Sequence, residues 1–291
     1  GGAPANVLVT AERFGGRTAF IGKVGEDQFG HYLKKTLDSV GIDTGGLVFT
    51  DKANTTLAFV HLNPDGDRSF SFYRKPGADI LIKEEELNKK LLSNTKVFHF
   101  GSLSLTHEPA RSTTIYAIEY AKENGSIISY DPNWRPGLWP SQEEGISWMK
   151  KGVEYADIIK VSEEELELLT GETNLEKGSA ILAEKGPKII LVTLGQDGCY
   201  FRISSGTGHV NAYQVKTVDT TGAGDSFFGS MLYQLIEINK DFNELTLNEM
   251  TKYITISNAT AALCVQKKGA IPGIPHRKDV EDFMKIASTH Q

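Results

Sequence analysis

The sequence predicts an α/β protein with a doubly wound, mostly parallel sheet flanked by helices, together with a small β-sheet lid. Short apolar runs alternate with longer amphipathic segments, which is typical of buried parallel strands separated by helices. One early stretch shows period-two patterning, which indicates a β-hairpin. The length of 291 residues suits one large α/β domain, or a core with a small attachment.

The apolar runs predict strands at residues 19–24, 96–101, 126–130, 157–161 and 188–194. Amphipathic spacing predicts helices at residues 29–37, 109–122, 163–169, 247–265 and 278–287. Because strands and helices alternate, the helices should cover both faces of the sheet.

The hairpin is predicted from residues 55–62 and 69–74, which flank the turn sequence Asn63-Pro64-Asp65-Gly66-Asp67. We therefore expect residues 1–50 and 76–291 to form the α/β core with the nucleotide and phosphate sites. Residues 51–75 would form an inserted hairpin that serves as a lid, an oligomer contact or both. An ordinary edge hairpin fits the same pattern.

The charge balance argues against a nucleic-acid surface, because 31 Lys and Arg against 37 Asp and Glu give a net charge of −6. A phosphorylated ligand stays open, since a phosphate site needs only local positive potential. Two cysteines, Cys199 and Cys264, make no disulfide framework, and we expect two buried free thiols in a reducing compartment. With no signal core and no apolar run of about 18 residues, no membrane contact is expected and the predicted location is cytoplasmic.

The most informative stretch is Val218-Asp219-Thr220-Thr221-Gly222-Ala223-Gly224-Asp225-Ser226-Phe227-Phe228-Gly229. Residues 212–218 can form a strand before it, and helical spacing of apolar residues follows it. Gly222 and Gly224 therefore lie where a turn enters a helix, so backbone can approach a ligand closely. The unpaired N–H groups at a helix N-terminus and the positive end of its dipole predict an anion site for phosphoryl oxygens.

Asp225 lies in the same turn. A carboxylate beside an incoming phosphate is electrostatically unfavourable unless it has a function there. One hypothesis is that it accepts a proton from an attacking hydroxyl. The other is that it caps the helix, since Asp is favoured there. The stretch is not a Walker loop, because it lacks the Lys-Ser/Thr pair, and it lacks the third glycine of a dinucleotide fingerprint.

Two segments together resemble the signatures of the ribokinase-like (PfkB) carbohydrate kinases. Residues 219–227 are similar to the C-terminal signature, while Gly1-Gly2-Ala3-Pro4-Ala5-Asn6-Val7 and residues 20–30 are similar to the N-terminal one. Residues 131–139 and 72–79 resemble fructokinases most closely, and 2-keto-3-deoxygluconate kinases share much of this.

The resemblance implies roles at matching positions around the sugar and the transferred phosphate. Asp225 would be the catalytic base, and the amides of Gly222, Ala223 and Gly224 would form the anion hole. The sugar site would contain Gly1, Gly2, Asn6, Arg74 and Arg135, with Arg74 reaching in from the lid.

The nucleotide side is implied in the same way and would comprise Lys160, Thr193, Gly195, Gly198, Gly222, Gly224 and Asn258. Lys160 would meet phosphate oxygens as a point charge. Asn258 lies where adenine would stack along a helix, and the alternative is a polar residue on an exposed helix face.

Two ions are implied besides ATP. Glu163 would organise Mg²⁺ through water, although an acid in the first turn of a helix is also common without any metal. Asp219, Thr221 and Gly269, with carbonyls around Cys264 and Lys267, match a monovalent-cation site that would take K⁺.

The activity implied is ATP-dependent phosphorylation of D-fructose to fructose 6-phosphate. A kinase of 2-keto-3-deoxygluconate or ribose is the near alternative, and a non-catalytic sugar-binding relative is the alternative from another class. The partners would be the sugar, ATP and a second copy of the chain bound through the lid. Family members begin with a strand before the Gly-Gly motif, so we expect an N-terminal segment to precede Gly1, or one central strand to be missing.

Overall fold

The computed structural model of the protein describes residues 2–62 and 68–288. Its helices are α1 Ala3–Arg13, α2 Gln28–Ser39, α3 Lys89–Ser93, α4 Ala110–Glu123, α5 Gln142–Tyr155, α6 Glu163–Thr170, α7 Leu175–Ala183, α8 Ala223–Ile238, α9 Leu247–Cys264, α10 Ala270–Gly273 and α11 Arg277–Ser288. Its strands are β1 Ala19–Gly25, β2 Asp43–Thr50, β3 Leu57–Leu62, β4 Arg68–Tyr73, β5 Val97–Gly101, β6 Ile127–Asp131, β7 Ile158–Ser162, β8 Ile189–Thr193, β9 Cys199–Ile203 and β10 Gly206–Val210.

Six strands form the central sheet in the order β10-β9-β8-β7-β6-β5. The β5–β8 strands are parallel, and β9 and β10 extend the sheet antiparallel to β8. In this parallel part the register pairs Ser129 with Ile158 and Ile158 with Ile189. The carboxyl ends of β5 to β8 therefore meet at one edge, where ligand sites of open α/β sheets gather.

Apolar residues cover both faces of this sheet, as predicted. On one face Ile128, Ile159 and Ile190 pack in a buried cluster with residues of α4, α5, α6 and α7. On the other face Ile158 and Ile189 pack with residues of α1, α8 and α9. Because side chains alternate along a strand, Asp131 and Lys160 lie on the face that α8 covers.

Two smaller sheets accompany the core. The β1–β2 pair is parallel, and the β3–β4 pair is an antiparallel hairpin in which Leu57 pairs with Tyr73. Within the described residues neither pair shares a ladder with the six-stranded sheet. The hairpin confirms the period-two prediction, although its turn, residues 63–67, lies outside the described residues.

Local signals in the sequence explain where several helices begin. Asp27, Ser141, Ser162 and Thr246 each accept a hydrogen bond from a backbone N–H of the following first turn. Such caps satisfy amides that have no partner inside the helix. The five predicted strands and the predicted helices all form, with ends that differ from the prediction by at most two residues.

The predicted strand at residues 212–218 is wrong. Among the described residues this segment has no ladder partner. Instead the amides of Val218 and Asp219 donate to the carbonyl of Val265 at 2.8 and 3.1 Å, and Tyr213 packs edge-on against Phe283. Contacts with α9 and α11 take the place of a neighbouring strand. Cys199 and Cys264 are buried and unpaired, as expected.

Candidate active site

The turn that leads into α8 has the geometry of an anion site. Gly222 adopts a left-handed conformation with φ of 84°, and a Cβ there would lie 2.9 Å from Cβ of Ala270. A side chain is therefore excluded by conformation and by space. The helix that follows points its N-terminus, with the positive end of its dipole, at the carboxyl edge of the sheet.

The amides of this turn differ in what they do. The Ala223 amide donates to the carbonyl of Thr220 at 3.2 Å, so that part of the predicted anion hole is already occupied by backbone. Gly224 and Asp225 contribute the next N–H groups of the first turn of α8, which have no acceptor inside the helix. The Ser226 amide closes the turn by donating to the carbonyl of Gly222 at 2.8 Å.

Asp225 is the third residue of α8, and its side chain does not cap the helix. The N-cap is Gly222, with no capping side chain. Instead, Oδ2 of Asp225 accepts a hydrogen bond from Nδ2 of Asn6 on α1 at 2.7 Å. The capping hypothesis is therefore wrong in its geometry, and Asp225 faces α1 and the sheet edge.

The pKa of Asp225 is raised to about 6, first because the carboxyl is withdrawn from water and second because the negative charge of Asp131 is near. Lys160, the hydrogen bond from Asn6 and Arg135 act in the opposite direction. A carboxylate of this pKa is a stronger base than an exposed aspartate and is still ionised at neutral pH.

Lys160 and Asp131 form a buried ion pair beneath the turn. Nζ of Lys160 lies 2.7 Å from Oδ2 of Asp131, and their side chains are 9 % and 2 % exposed. A Cβ built on Gly224 would lie 3.1 Å from the same Nζ. The ammonium group is therefore held directly against the glycine turn, where phosphoryl oxygens would need positive charge.

Arg135 follows β6, and hydrogen bonds that involve backbone groups hold it and the residues around it. Its Nη1 donates to the carbonyl of Trp134 at 2.7 Å, and the Trp134 amide donates to Oε1 of Glu165 at 2.7 Å. The other oxygen of Glu165 accepts from the amide of Ser162 at 2.8 Å. Glu165 thus ties the segment after β6 to the start of α6, and Arg135 comes close enough to Asp225 to lower its pKa.

Arg74 is buried at the base of the hairpin, where three partners bind its guanidinium group. Nε donates to Asp79 at 2.8 Å, Nη1 to Oγ1 of Thr106 at 2.9 Å and Nη2 to the carbonyl of Leu103 at 2.8 Å. These contacts pin the hairpin to the core. The sugar contact expected for Arg74 would require it to leave some of these partners.

The residues expected on the nucleotide side lie beyond β8. Thr193 ends β8 and its Oγ1 donates to the carbonyl of Val161 at 3.2 Å. Gly195 begins an exposed turn, whereas Gly198 is buried, and a Cβ there would overlap the carbonyl of Val210. The position of Gly198 is thus explained by packing alone.

Asn258 does not lie on an exposed helix face. It is only 5 % exposed, and its Nδ2 donates to the carbonyls of Val210 and Asn211 at 3.1 and 3.0 Å. The exposed alternative is therefore wrong, because these two bonds fasten α9 to the end of β10. Asn258 consequently helps to position the segment that runs from the end of β10 to the glycine turn at Gly222.

The residues of the expected monovalent-cation site come together. Oδ1 of Asp219 accepts from the amide of Thr221 at 2.8 Å, and Oδ2 accepts from the amide of Gly269 at 2.9 Å. Glu163, the expected Mg²⁺ residue, is exposed at the first position of α6. In the ranges 2–62 and 68–288, no cluster of three His, Cys, Asp or Glu side chains is arranged to hold a metal.

At the N-terminus, Gly2 caps α1 and accepts a hydrogen bond from the amide of Asn6 at 3.1 Å. Gly1 lies outside the described residues. The α1 helix packs tightly on α8, since a Cβ at Gly229 would lie 2.4 Å from the carbonyl of Val7. This close packing brings Asn6 to Asp225.

Asp131 and Glu165 are the charged residues at the site that sequence reasoning missed. Both are buried, at 1 % and 6 % exposed. A signal for Asp131 was present, because it ends an apolar run at the carboxyl edge of a parallel sheet. Glu165 carried a signal of a different kind, since Ser162 and Glu165 have the spacing of a capping box.

A cavity of about 670 Å³ lies elsewhere, between the C-terminal half of α8, α9 and α11, and includes Tyr213, Tyr233 and Arg277. None of the site candidates named above lines this cavity, although α8 and α9, which border it, also carry some of those candidates. Among the described helices, none has the length and apolar composition that crossing a bilayer requires.

Comparison with known proteins agrees with this geometry. The pfkB family of carbohydrate kinases matches residues 1–277. Fructokinase-2 of Solanum habrochaites is 46 % identical over 287 residues, which cover 98 % of this chain and 87 % of that protein.

Solved structures give the same answer. The fructokinase of Xylella fastidiosa with bound ATP has a TM-score of 0.91 and 34 % identity, covering 99 % of this chain and 91 % of the other. The fructokinase of Vibrio cholerae with fructose, ADP and calcium has a TM-score of 0.88 and 35 % identity, covering 97 % and 90 %. The glycine turn, the partly buried aspartate and these matches lead to one conclusion: the chain belongs to the pfkB family of carbohydrate kinases.

Proposed function

We propose that this protein is an ATP-dependent fructokinase, which transfers the γ-phosphoryl group of ATP to D-fructose and gives fructose 6-phosphate. The observation that carries the proposal is Asp225 beside the N-terminus of α8, hydrogen-bonded to Asn6 and with its pKa raised to about 6. The choice of fructose is supported by the fructokinases of similar sequence and structure.

The chemistry follows from the arrangement of these groups. A sugar hydroxyl is a poor nucleophile while it keeps its proton, and Asp225 accepts that proton as the new P–O bond forms. The amides of Gly224 and Asp225, together with the ammonium of Lys160, stabilise negative charge on the transferring phosphoryl group. The proton ends on Asp225 and the electrons of the broken P–O bond leave with ADP.

For the sugar, we propose contacts from Asn6 and Arg135, with Gly2 at the N-terminus of α1; Gly1, which lies outside the described residues, is proposed from the sequence resemblance alone. The second amide atom of Asn6, Oδ1, is buried without a partner within the described structure, which suits a hydroxyl donor. A guanidinium group such as that of Arg135 donates several hydrogen bonds at fixed angles, as recognition of sugar oxygens requires.

For the nucleotide, we propose that the adenosine lies between the exposed turn at Gly195 and the C-terminal half of α9. Thr193 and the segment fastened by Asn258 border this space. Glu163 supplies a hard oxygen donor on the same edge of the sheet, which suits Mg²⁺ held through water. Bound Mg²⁺ would neutralise charge on the phosphates.

A K⁺ site at Asp219, Thr221 and Gly269 is supported by the convergence of these residues on the turn. The Asp219 carboxylate spans two backbone segments, so charge balance there would affect the shape of the turn. Carboxylate and carbonyl oxygens are ligands of the right class for a hard monovalent cation.

The hairpin is proposed as a lid that closes over the sugar and as the contact with a second copy of the chain. Phe59 and Tyr73 lie on one face of it, 50 % and 68 % exposed, with ring centroids 5.4 Å apart. An exposed aromatic pair on a two-stranded hairpin fits a protein contact surface. Closure of such an element excludes water from the transferring group.

A coupled ADP-release assay with fructose, ribose and 2-keto-3-deoxygluconate tests the proposal. The highest kcat/KM is expected with fructose, and Asp225→Asn should lower kcat by about 10²–10⁴-fold, the range of general-base effects. Turnover of another sugar at higher kcat/KM would reassign the substrate. If Asp225→Asn kept kcat within about threefold of the parent, Asp225 would leave the mechanism.

A further inference from the structure

We propose that Asp131 is a positioning residue of the phosphoryl-transfer site: it holds the ammonium of Lys160 under the glycine turn and thereby balances the charges around Asp225. This inference rests on the proposed function, because it concerns the same base and the same phosphoryl group. It adds a residue to which the family signatures quoted above assign no role.

Strand geometry brings Asp131 and Lys160 together. Asp131 is the last residue of β6, and Lys160 lies on the adjacent parallel strand β7. The register that pairs Ser129 with Ile158 places Asp131 beside Lys160 on the face that α8 covers. The two side chains are therefore neighbours because of sheet register, with no loop needed to bring them together.

Both oxygens of the Asp131 carboxylate accept hydrogen bonds. Oδ2 accepts from Nζ of Lys160 at 2.7 Å, and Oδ1 accepts from the amide of Asn133 at 3.2 Å. Asn133 has φ of 47°, a left-handed conformation that a side-chain acceptor two residues earlier can support. One carboxylate thus fixes both the lysine and the start of the segment that leads to Arg135.

Charges of both signs surround Lys160 and Asp225. Within reach of one another lie the carboxylates of Asp131, Glu165 and Asp225 and the cations Lys160 and Arg135. Burial opposes the charge on Lys160, yet Asp131, Glu165 and Asp225 together raise its pKa above the usual value. The ammonium therefore stays charged in a dry site, where a lone lysine would lose its proton.

Titratable groups from several strands and helices surround Asp225. These are Asp131 at the end of β6, Lys160 on β7, Arg135 in the segment after β6, Cys264 on α9, and His99 on β5 against Phe228. His99 is neutral at physiological pH, since burial and the charge of Lys160 lower its pKa to about 3. Burial raises the pKa of the Cys264 thiol, so the charges that matter near neutrality are Asp131, Lys160 and Arg135.

These charges make two opposite predictions for the acid limb of the kcat/KM profile, which reports the base of the free enzyme. Asp131→Asn removes a like charge and frees Lys160 to approach Asp225, so the limb should move to lower pH by on the order of one unit. From a limb near pH 6, the active fraction at pH 5 would then rise by about fivefold. Lys160→Met should move the limb to higher pH.

Glu165→Gln is the matched control. Glu165 is a second buried carboxylate near Lys160, but its oxygens bind the amides of Trp134 and Ser162. It should raise KM for fructose, through Arg135, without moving the acid limb. If Asp131→Asn and Glu165→Gln moved the limb equally, or if Asp131→Asn left it in place, the proposal would be overturned.

A second measurement separates this inference from the proposed function. Titration of ¹³C-labelled aspartate carboxyls by NMR, with Asp225→Asn for assignment, reads the pKa of Asp225 with no substrate present. A lower pKa in Asp131→Asn supports the proposal even if fructose proves to be the wrong sugar. If Asp131→Asn does not fold, Lys160→Met carries the test: a raised pKa supports the proposal and an unmoved pKa contradicts it.

Discussion

Lys160 and Lys23 each project from a strand and each bind a carboxylate, but their surroundings differ. Lys160 and Asp131 are both buried, with side chains 9 % and 2 % exposed, and the ammonium lies against the glycine turn of α8. Lys23 is buried on β1, whereas its partner Glu86 is 28 % exposed, and the ammonium also donates to the carbonyl of Leu81 at 3.2 Å.

The difference separates two uses of a buried lysine. Burial alone would raise the pKa of Glu86, but hydrogen bonds from Lys23 and the Lys83 amide and the charges of both lysines hold it below its usual value. That pair is a satisfied structural link between β1 and the turn at Glu84–Glu86. Around Lys160, by contrast, the three carboxylates of Asp131, Glu165 and Asp225 together raise the pKa of the ammonium group, and one of them is the proposed base.

Lys160→Met should have the largest effect. Loss of the cation at the glycine turn should lower kcat by about 10²–10³-fold, as for other groups that stabilise charge on the transferring group. It also leaves Asp131 buried and unpaired, which costs about 3–5 kcal/mol of the free energy of unfolding. Steady-state kinetics and urea denaturation measure the two effects.

The double variant Lys160→Met with Asp131→Asn separates them. Since no uncompensated charge remains buried, the free energy of unfolding should recover, while kcat stays low. If kcat recovered together with stability, Lys160 would be a structural residue like Lys23 and the contrast between the two regions would fail.

Asp225→Asn should stabilise the protein at neutral pH. The pKa of Asp225 is raised from 3.8 to about 6, so the native state binds the proton more tightly than the unfolded state. Stability from this group is therefore complete below about pH 3.8 and is lost as pH rises through 6. The asparagine variant avoids that loss and should gain about 1–3 kcal/mol above pH 6.

Thermal melts of parent and variant between pH 4 and pH 8 measure this gain. The difference in melting temperature should grow through the window from about pH 4 to about pH 6 and then stay constant. A constant difference in melting temperature across the whole range would mean that the Asp225 carboxyl titrates normally. The active site would then not raise the pKa of this carboxyl.

The sequence predicted much of the site because its chemistry is local. Gly222, Gly224 and Asp225 lie within one turn, and the propensity of glycine for close backbone approach locates the anion site without any tertiary knowledge. The hairpin was equally local, since two alternating runs and a turn define it. Such features depend on neighbours in the chain.

What the sequence did not predict depends on partners far away in the chain. Asp131 acquires its role only through the register between β6 and β7, and Asn258 is buried because β10 ends beside α9. Residues 212–218 follow β10, the edge strand of the six-stranded sheet, and could have formed a strand, yet the amides of Val218 and Asp219 bind the carbonyl of Val265 instead. Sheet order and register decide these cases, and the periodicity of apolar residues along the sequence gives no information about either.

Lys23→Met should reduce stability and leave catalysis intact. The pair with Glu86 links β1 to the core, but Glu86 is partly hydrated, so its loss should cost only about 1–2 kcal/mol, below the range for a fully buried pair. Urea denaturation gives the cost, and kcat with fructose should stay within about threefold of the parent, well outside the range of a lost charge-stabilising group. A loss of kcat of the size expected for Lys160→Met would bring Lys23 into the functional site and end the contrast.

Lys34→Met tests an exposed lysine and should have the smallest effect of these variants. Lys34 and Asp38 form a pair of the same 2.7 Å length as Lys160 and Asp131, but on the surface of α2, where their side chains are 41 % and 44 % exposed. Water solvates both charges before and after the change, so the attraction between them is weak and is screened by salt. The melting temperature and kcat of this variant should equal those of the parent within experimental error. A fall in melting temperature or kcat at low salt that disappears at high salt would show that a short ion pair contributes even where it is exposed. Burial alone would then not explain the ranking of the three lysines.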